Sequence, residues 1–97
     1  MALLDLLGRR WTLRILWELR DGPVGTFREL QARCQDVSSS LLSRRLRELK
    51  QAGILASRPG EGYRLTDEGI DLLSALAPID SWAAGWGERM GIPREPR

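Results

Sequence analysis

Leucines recur at positions 42, 46 and 49 of the stretch SSSLLSRRLRELKQA, with Leu41 and Arg45 on their flanks. Ser40, Ser43, Arg44, Arg47 and Lys50 or Gln51 fall on the opposite side. That spacing predicts an amphipathic helix. Ser38 is its N-cap, because a serine hydroxyl accepts from the free amides of a first turn. The helix ends near Ala52, where Gly53 stops it. Ahead of it, Thr26-Phe27-Arg28-Glu29 matches a capping box. This predicts a short helix from Phe27 to about Arg33, with Phe27, Leu30 and Cys34 inward, then a turn at Gln35-Asp36-Val37. Behind it, Ile54 to Ser57 and Tyr63 to Leu65 alternate as two strands around the turn Pro59-Gly60-Glu61-Gly62.

The outer segments follow the helical rhythm. Leu13, Leu16 and Trp17, with Leu6 or Leu7 upstream, predict a first helix that starts near Leu3 or Arg9 and runs to Leu19. Asp21-Gly22-Pro23 ends it, and Gly8 is where a short leading segment would break away. Val24 to Thr26 suits a one-bond strand. Thr66 caps a helix from Asp67 to Ala77 whose acidic first turn suits the helix dipole. Ile70, Leu72, Leu73, Leu76 and Ala77 face inward. Pro78 either kinks that helix or opens a new one. The last helix, over 78–90, aligns Ile79, Trp82, Ala83, Trp86 and Met90, and a frayed tail follows over 93–97. The expected architecture is mainly α with a small β-hairpin, a winged helix-turn-helix forming a single domain over 1–97. Its helix-turn-helix occupies 26–53, its wing 54–66 and its dimerisation helix 78–90.

Composition narrows the function. The 97 residues suffice for one small domain, and the hydrophobic share of 42% supports an ordinary core. A domain of this size is marginal alone and gains from pairing. Net charge is only +2, but it is polarised. From Arg28 to Arg64 eight basic residues face four acidic ones, whereas from Leu65 to Arg97 three face six. With no histidine and one cysteine, an intrachain disulfide and an ordinary His/Cys zinc site are excluded. No catalytic set assembles, for want of histidine, paired carboxylates and a glycine-rich phosphate loop. No apolar run approaches a membrane span, and MALLDLLGRR lacks the basic start and cleavage pattern of a signal peptide. A cytoplasmic, nucleoid-associated protein with no cofactor and no metal is expected. One lysine against fourteen arginines suggests a GC-rich bacterial genome.

The candidate chemistry is nucleic-acid recognition. Arginine and lysine supply affinity through phosphates, while side chains near the start of a recognition helix reach base edges. Ser38, Ser39, Ser40, Ser43 and Arg44 hold those forward positions, and Arg44 suits a bidentate guanine contact. Arg47 and Lys50 lie further back and suit phosphates. Arg58 and Arg64 bracket the hairpin turn, where they reach phosphates or a minor groove, or else guard a sheet edge. Arg10, with Arg9, Trp11 and Thr12, stands at a helix start, as a phosphate contact or a solvated neighbour of a core tryptophan. Trp82 and Trp86 sit one helical turn apart. They fit a homodimer interface, packing against Leu4, Leu7 or Trp11 of the same subunit, or a ligand pocket. Cys34 fits a small core site better than a sensor thiol, which must be exposed and acidified. Double-stranded DNA and a second copy are the partners implied, with a small-molecule effector left open. The competing reading is a winged helix that pairs with another polypeptide and touches no DNA.

From about Leu7 to Trp86 the chain resembles the HxlR family of bacterial winged helix-turn-helix regulators. The resemblance rests on LGRRWTLRILWEL with DGP, TFREL, VSSSLLSRRLRELKQAGIL, and YRLTDEGIDLL followed by two tryptophans. It implies a dimeric transcription factor reading a pseudo-palindromic operator through the helix capped by Ser38, and repression would follow from occupying a promoter. It implies a dimer interface from the N- and C-terminal helices, here Leu3, Leu4 and Leu7 with Ile79, Trp82, Ala83, Trp86 and Met90. Arg10 stands where the family often has a lysine before the tryptophan. Many members sense oxidants through a cysteine just ahead of the first helix. MALLDLLG carries none there, and the wing is short.

Overall fold

A computed structural model describes residues 2–93. Residues 94–97 of the expected tail lie outside the described residues. The elements run α1 (Ala2–Leu7), α2 (Thr12–Glu18), α3 (Phe27–Cys34), α4 (Ser39–Gln51), β1 (Leu55–Arg58), β2 (Gly62–Leu65) and α5 (Asp67–Met90). The two helices and two strands between Phe27 and Leu65 therefore stand where the periodicity puts them.

The core gathers one side of each element. Ile15, Leu16 and Leu19 of the second helix region, Leu30 and Cys34 of α3, and Leu42, Leu46 and Leu49 of α4 are buried together, with Val24, Val37, Ile54, Leu55 and Leu65 closing the ends. Leu13 departs from the expected pattern. It is 49% exposed, because the chain breaks at Gly8 and restarts at Thr12, which turns Ile15 rather than Leu13 into the core. The break is sharp: Trp11 stands at φ 77, a left-handed conformation a tryptophan seldom adopts.

Caps fix the helix starts. The Thr26 hydroxyl accepts from Glu29 N at 3.1 Å, and the Glu29 carboxylate accepts from Gly25 N at 3.2 Å, one residue ahead of the usual capping-box amide. The Ser38 hydroxyl accepts from Leu41 N at 3.1 Å. Strands β1 and β2 pair antiparallel, Leu55 with Leu65 through Arg58 with Gly62. Their turn places Pro59 and Gly60 in the middle, with Glu61 N donating to Arg58 O at 3.0 Å and Gly60 at φ +79. Those are the marks of a type II turn. Val24 adds a single bridge to Tyr63, exchanging bonds of 2.9 and 2.8 Å, as the one-bond strand predicts. A side chain at Gly62 would strike the Val24 carbonyl, so glycine is required for this close approach.

Helix α5 runs unbroken through Pro78, joining two segments that the sequence leaves divisible. Proline removes the donor that would reach the Ser74 carbonyl, but Ser74 is exposed, so that carbonyl is open to solvent. Ile70 is exposed rather than inward, while Leu72, Leu73 and Leu76 pack half-buried against the core. Among the described residues no helix is long and apolar enough to cross a membrane, and no cluster of His, Cys, Asp or Glu is arranged to hold a metal ion.

Thr66 joins three elements at one point. Its hydroxyl donates to the Gly53 carbonyl at 2.6 Å and accepts from Gly69 N at 3.2 Å, while Thr66 N donates to the Ile54 carbonyl at 3.0 Å. A Cβ at Gly69 would lie 2.2 Å from the Ile54 carbonyl oxygen. In an exposed helix Gly→Ala is stabilising, by up to about 1 kcal/mol. At Gly69 the sign reverses, and Gly69→Ala lowers stability by about 1–3 kcal/mol. Thermal unfolding followed by circular dichroism will show a lower melting temperature, and a raised one would refute this packing.

Candidate nucleic-acid interface

Helix α4 places its three leucines inward and its polar residues outward. Ser40, Ser43, Arg44 and Arg47 are exposed on the face opposite Leu42, Leu46 and Leu49, and Ser39 and Lys50 are exposed at its flanks. Arg44 and Arg47 reach solvent with no salt bridge among the described residues, so both guanidiniums are available to an anion. Ser38 is spent differently: its oxygen caps the helix and lies 3.4 Å from the Ser40 hydroxyl. Lys50 holds its ammonium over the Tyr63 ring, 5.4 Å from the centroid, which couples the end of α4 to the wing.

The wing carries Arg58 and Arg64, both exposed. Arg58 lies 3.9 Å from Glu61 across the turn, a loose, solvated pair. Arg64 faces out from β2 opposite Ala56.

Arg45 is architectural. Its side chain is largely buried, its Nε donates to the Arg10 carbonyl at 2.8 Å, and its Nη1 pairs with Glu48 at 2.9 Å. Glu48 also binds Arg9. This network clamps the segment between α1 and α2 onto the back of α4. Arg10 is thereby fixed by its backbone, and its guanidinium stays exposed, 5.8 Å from the Trp11 ring centre.

Two further residues belong to this surface, and sequence reasoning passed over both. Arg28 is exposed at the start of α3, beside an open groove of about 430 Å³ that Phe27, Gln31, Ala32 and Ser39 also line. Gln31 spans the helix-turn-helix, its amide nitrogen 3.1 Å from both the Val37 carbonyl and the Ser39 hydroxyl. A basic residue in the first turn of α3 was the available signal for Arg28. Gln31 gave none, since its partners are set by the turn.

A second, apolar surface lies apart from the basic one. Leu3 and Leu4 of α1 are exposed, as are Ile79, Trp82, Trp86 and Met90 of α5, while Ala83 is half-buried. Trp82 is 61% and Trp86 41% exposed, their rings stacked 6.0 Å apart at 13°. Neither is packed inside its own subunit, which removes that alternative. Leu7, expected on this surface, is instead 8% exposed within the core, because it lies on the side of α1 turned toward α2. Leu3 and Leu6 border the first turns of α5 across a groove of about 590 Å³ with Ile54, Glu68, Asp71 and Leu72.

Cys34 is buried, and its thiol is pushed up to about 11, by desolvation first and by Glu18 second, against a smaller opposing effect of Arg14. It is protonated and shielded at neutral pH, the opposite of a reactive thiolate.

A family model described as HxlR-like helix-turn-helix matches residues 6–91. YvaP of Bacillus subtilis, named an uncharacterised HTH-type transcriptional regulator, is 34% identical over 88 residues, 84% of this chain and 81% of YvaP. The HTH-type transcriptional regulator YodB of the same organism is 34% identical over 85 residues, 81% of this chain and 75% of YodB. The crystal structure of quinone-bound YodB superimposes with a TM-score of 0.80 at 32% identity, covering 87% of this chain and 93% of that one.

The folded thiol keeps its proton up to about 11, while an exposed one ionises near its ordinary value of 9.0. Cys34's contribution to stability is therefore whole below pH 9 and lost as pH rises through 11. The stability difference between wild type and Cys34→Ala will shrink over that interval. At pH 7.5 a maleimide will label Cys34 only after denaturation, and rapid labelling of the native protein would contradict the burial.

Proposed function

This chain belongs to the HxlR-like helix-turn-helix family, and on that premise we propose that it is a homodimeric repressor that reads a pseudo-palindromic operator. The family and its relatives are helix-turn-helix transcriptional regulators, a DNA-binding and non-enzymatic role. The observation that carries the finer reading is the outward face of α4, where unpaired arginines follow a run of exposed serines. Two copies of α4 enter successive major grooves about 34 Å apart. Ser39, Ser40, Ser43 and Arg44 read bases, and Arg47, Lys50, Arg28 and Arg10 neutralise phosphates. Arg58 and Arg64 bring the short wing to the flanking backbone.

The exposed Trp82 and Trp86, with Ile79 and Met90, supply the apolar seam between subunits, and Leu3 and Leu4 extend it. Apolar side chains of this size need a partner surface. The quinone-bound state of YodB supports a small-molecule effector for this chain as well. The buried, protonated Cys34 argues that such an effector acts here without thiolate chemistry at that residue.

Arg44→Ala will weaken operator binding and relax preference at one base pair per half-site, a loss of about 1–3 kcal/mol. Arg47→Ala will weaken all sequences alike and reduce the salt slope by about one. Fluorescence anisotropy across a salt series on operator variants separates the two. Equal effects on specific and scrambled DNA would remove Arg44 from base readout. Trp86→Ala will shift the protein toward monomer in analytical ultracentrifugation, and an unshifted dimer would remove that ring from the seam.

A further inference from the structure

We propose that Gln31 is a positioning residue that orients the Ser39 hydroxyl and biases it toward donating to DNA, so that the start of α4 favours an acceptor there. The inference rests on the DNA-binding reading of α4. A serine hydroxyl ordinarily offers both a donor and an acceptor, and so discriminates poorly between base edges. Here the balance is shifted, because Gln31 takes one of the two lone pairs and leaves the proton free. One atom of the Gln31 amide lies 3.1 Å from the Val37 carbonyl and 3.1 Å from Ser39 Oγ. A backbone carbonyl only accepts, so that atom is the amide nitrogen, and the Ser39 oxygen must accept its second proton. Ser39's own proton then points elsewhere, and among the described residues nothing takes it. Ser39 is exposed in the first turn of α4, where its proton is open to an outside acceptor.

The same amide holds the turn. Gln35 and Asp36 both have positive φ, at 54 and 42, an uncommon pair of conformations for residues with side chains. Gln31 clamps the carbonyl of the next residue, Val37. It thus ties the turn ahead of α4 and orients α4's first exposed hydroxyl. The matching ligand atom is an acceptor: a phosphate oxygen, guanine O6 or N7, adenine N7 or thymine O4. A cytosine or adenine amino group is the poorer partner, because Gln31 already takes one of the hydroxyl's two lone pairs.

A double-mutant cycle tests this. Wild type, Ser39→Ala, Gln31→Met and the double variant are titrated with the operator and single-base variants of it by anisotropy. Ser39→Ala is expected to weaken binding about three- to tenfold, as for one hydrogen bond. Gln31→Met is expected to lose a similar factor, and the double variant no more than the larger single loss. Loss on every sequence identifies a phosphate acceptor, and loss confined to one base pair a base acceptor. Either supports the assignment. Ser39→Thr, which keeps the hydroxyl and leaves Gln31 intact, is expected to restore binding to within about twofold, so the donor role is tested even if Gln31→Met folds poorly. Independent, multiplying losses in the cycle, or no loss from Ser39→Ala, overturns the inference. Sequence-blind binding by the wild type would instead overturn the reading on which it rests.

Discussion

Burial of Leu42, Leu46 and Leu49 along one side of α4 is the constraint from which the rest follows. A thirteen-residue helix with apolar residues at that spacing has one way to satisfy them, and satisfying them aims the opposite side at solvent. The serines and arginines need no separate device to be presented. Burial of those leucines supplies a few kcal/mol, enough to hold the orientation of the polar face, since rotating the helix would expose them and bury arginines. Core and candidate reading surface are two aspects of one rotational setting.

Orientation about the helix axis is not position, and position comes from polar contacts at the ends of α4. At the front, Ser38 caps the helix while Gln31 ties the preceding turn. At the side, Arg45 and Glu48 bind the Arg9-Arg10 segment, so the junction between α1 and α2 cannot drift from the helix it backs. At the far end, Thr66 bonds Gly53, Ile54 and Gly69, and Lys50 rests on Tyr63. Each contact is modest, about 1 kcal/mol or less. Together they locate α4 relative to the wing and to α5.

The helix-turn-helix, the wing and the exposed face of α4 were legible because each depends on short-range signals: a capping threonine, a capping serine, a leucine period and a proline-glycine turn. The roles of Leu7, Leu13 and Arg45 were not. Leu13 and Ile15 are both plausible core residues, and only the left-handed Trp11 decides which one turns inward. Arg45 reads as another basic residue of a recognition helix until its partner, a backbone carbonyl 35 residues away, is known. Leu7 looks like surface from the apolar run around it, yet the short α1 turns it to the core. The continuity of α5 was equally open, since a proline is compatible with a kink or a new start and surrounding exposure makes the missing bond inexpensive.

That continuity has a mechanical consequence. At 24 residues α5 is about 36 Å long. One end is fastened to the wing through Thr66 and Gly69, and the other carries the stacked tryptophans. It is a lever. A rotation of about 5° at the tryptophans displaces the wing end, about 20–25 Å away, by about 2 Å. Pro78 places a single compliant point near the middle of that lever, where one rung of the backbone ladder is missing. The stiffness of this one helix, interrupted once, sets how faithfully movement at one end arrives at the other.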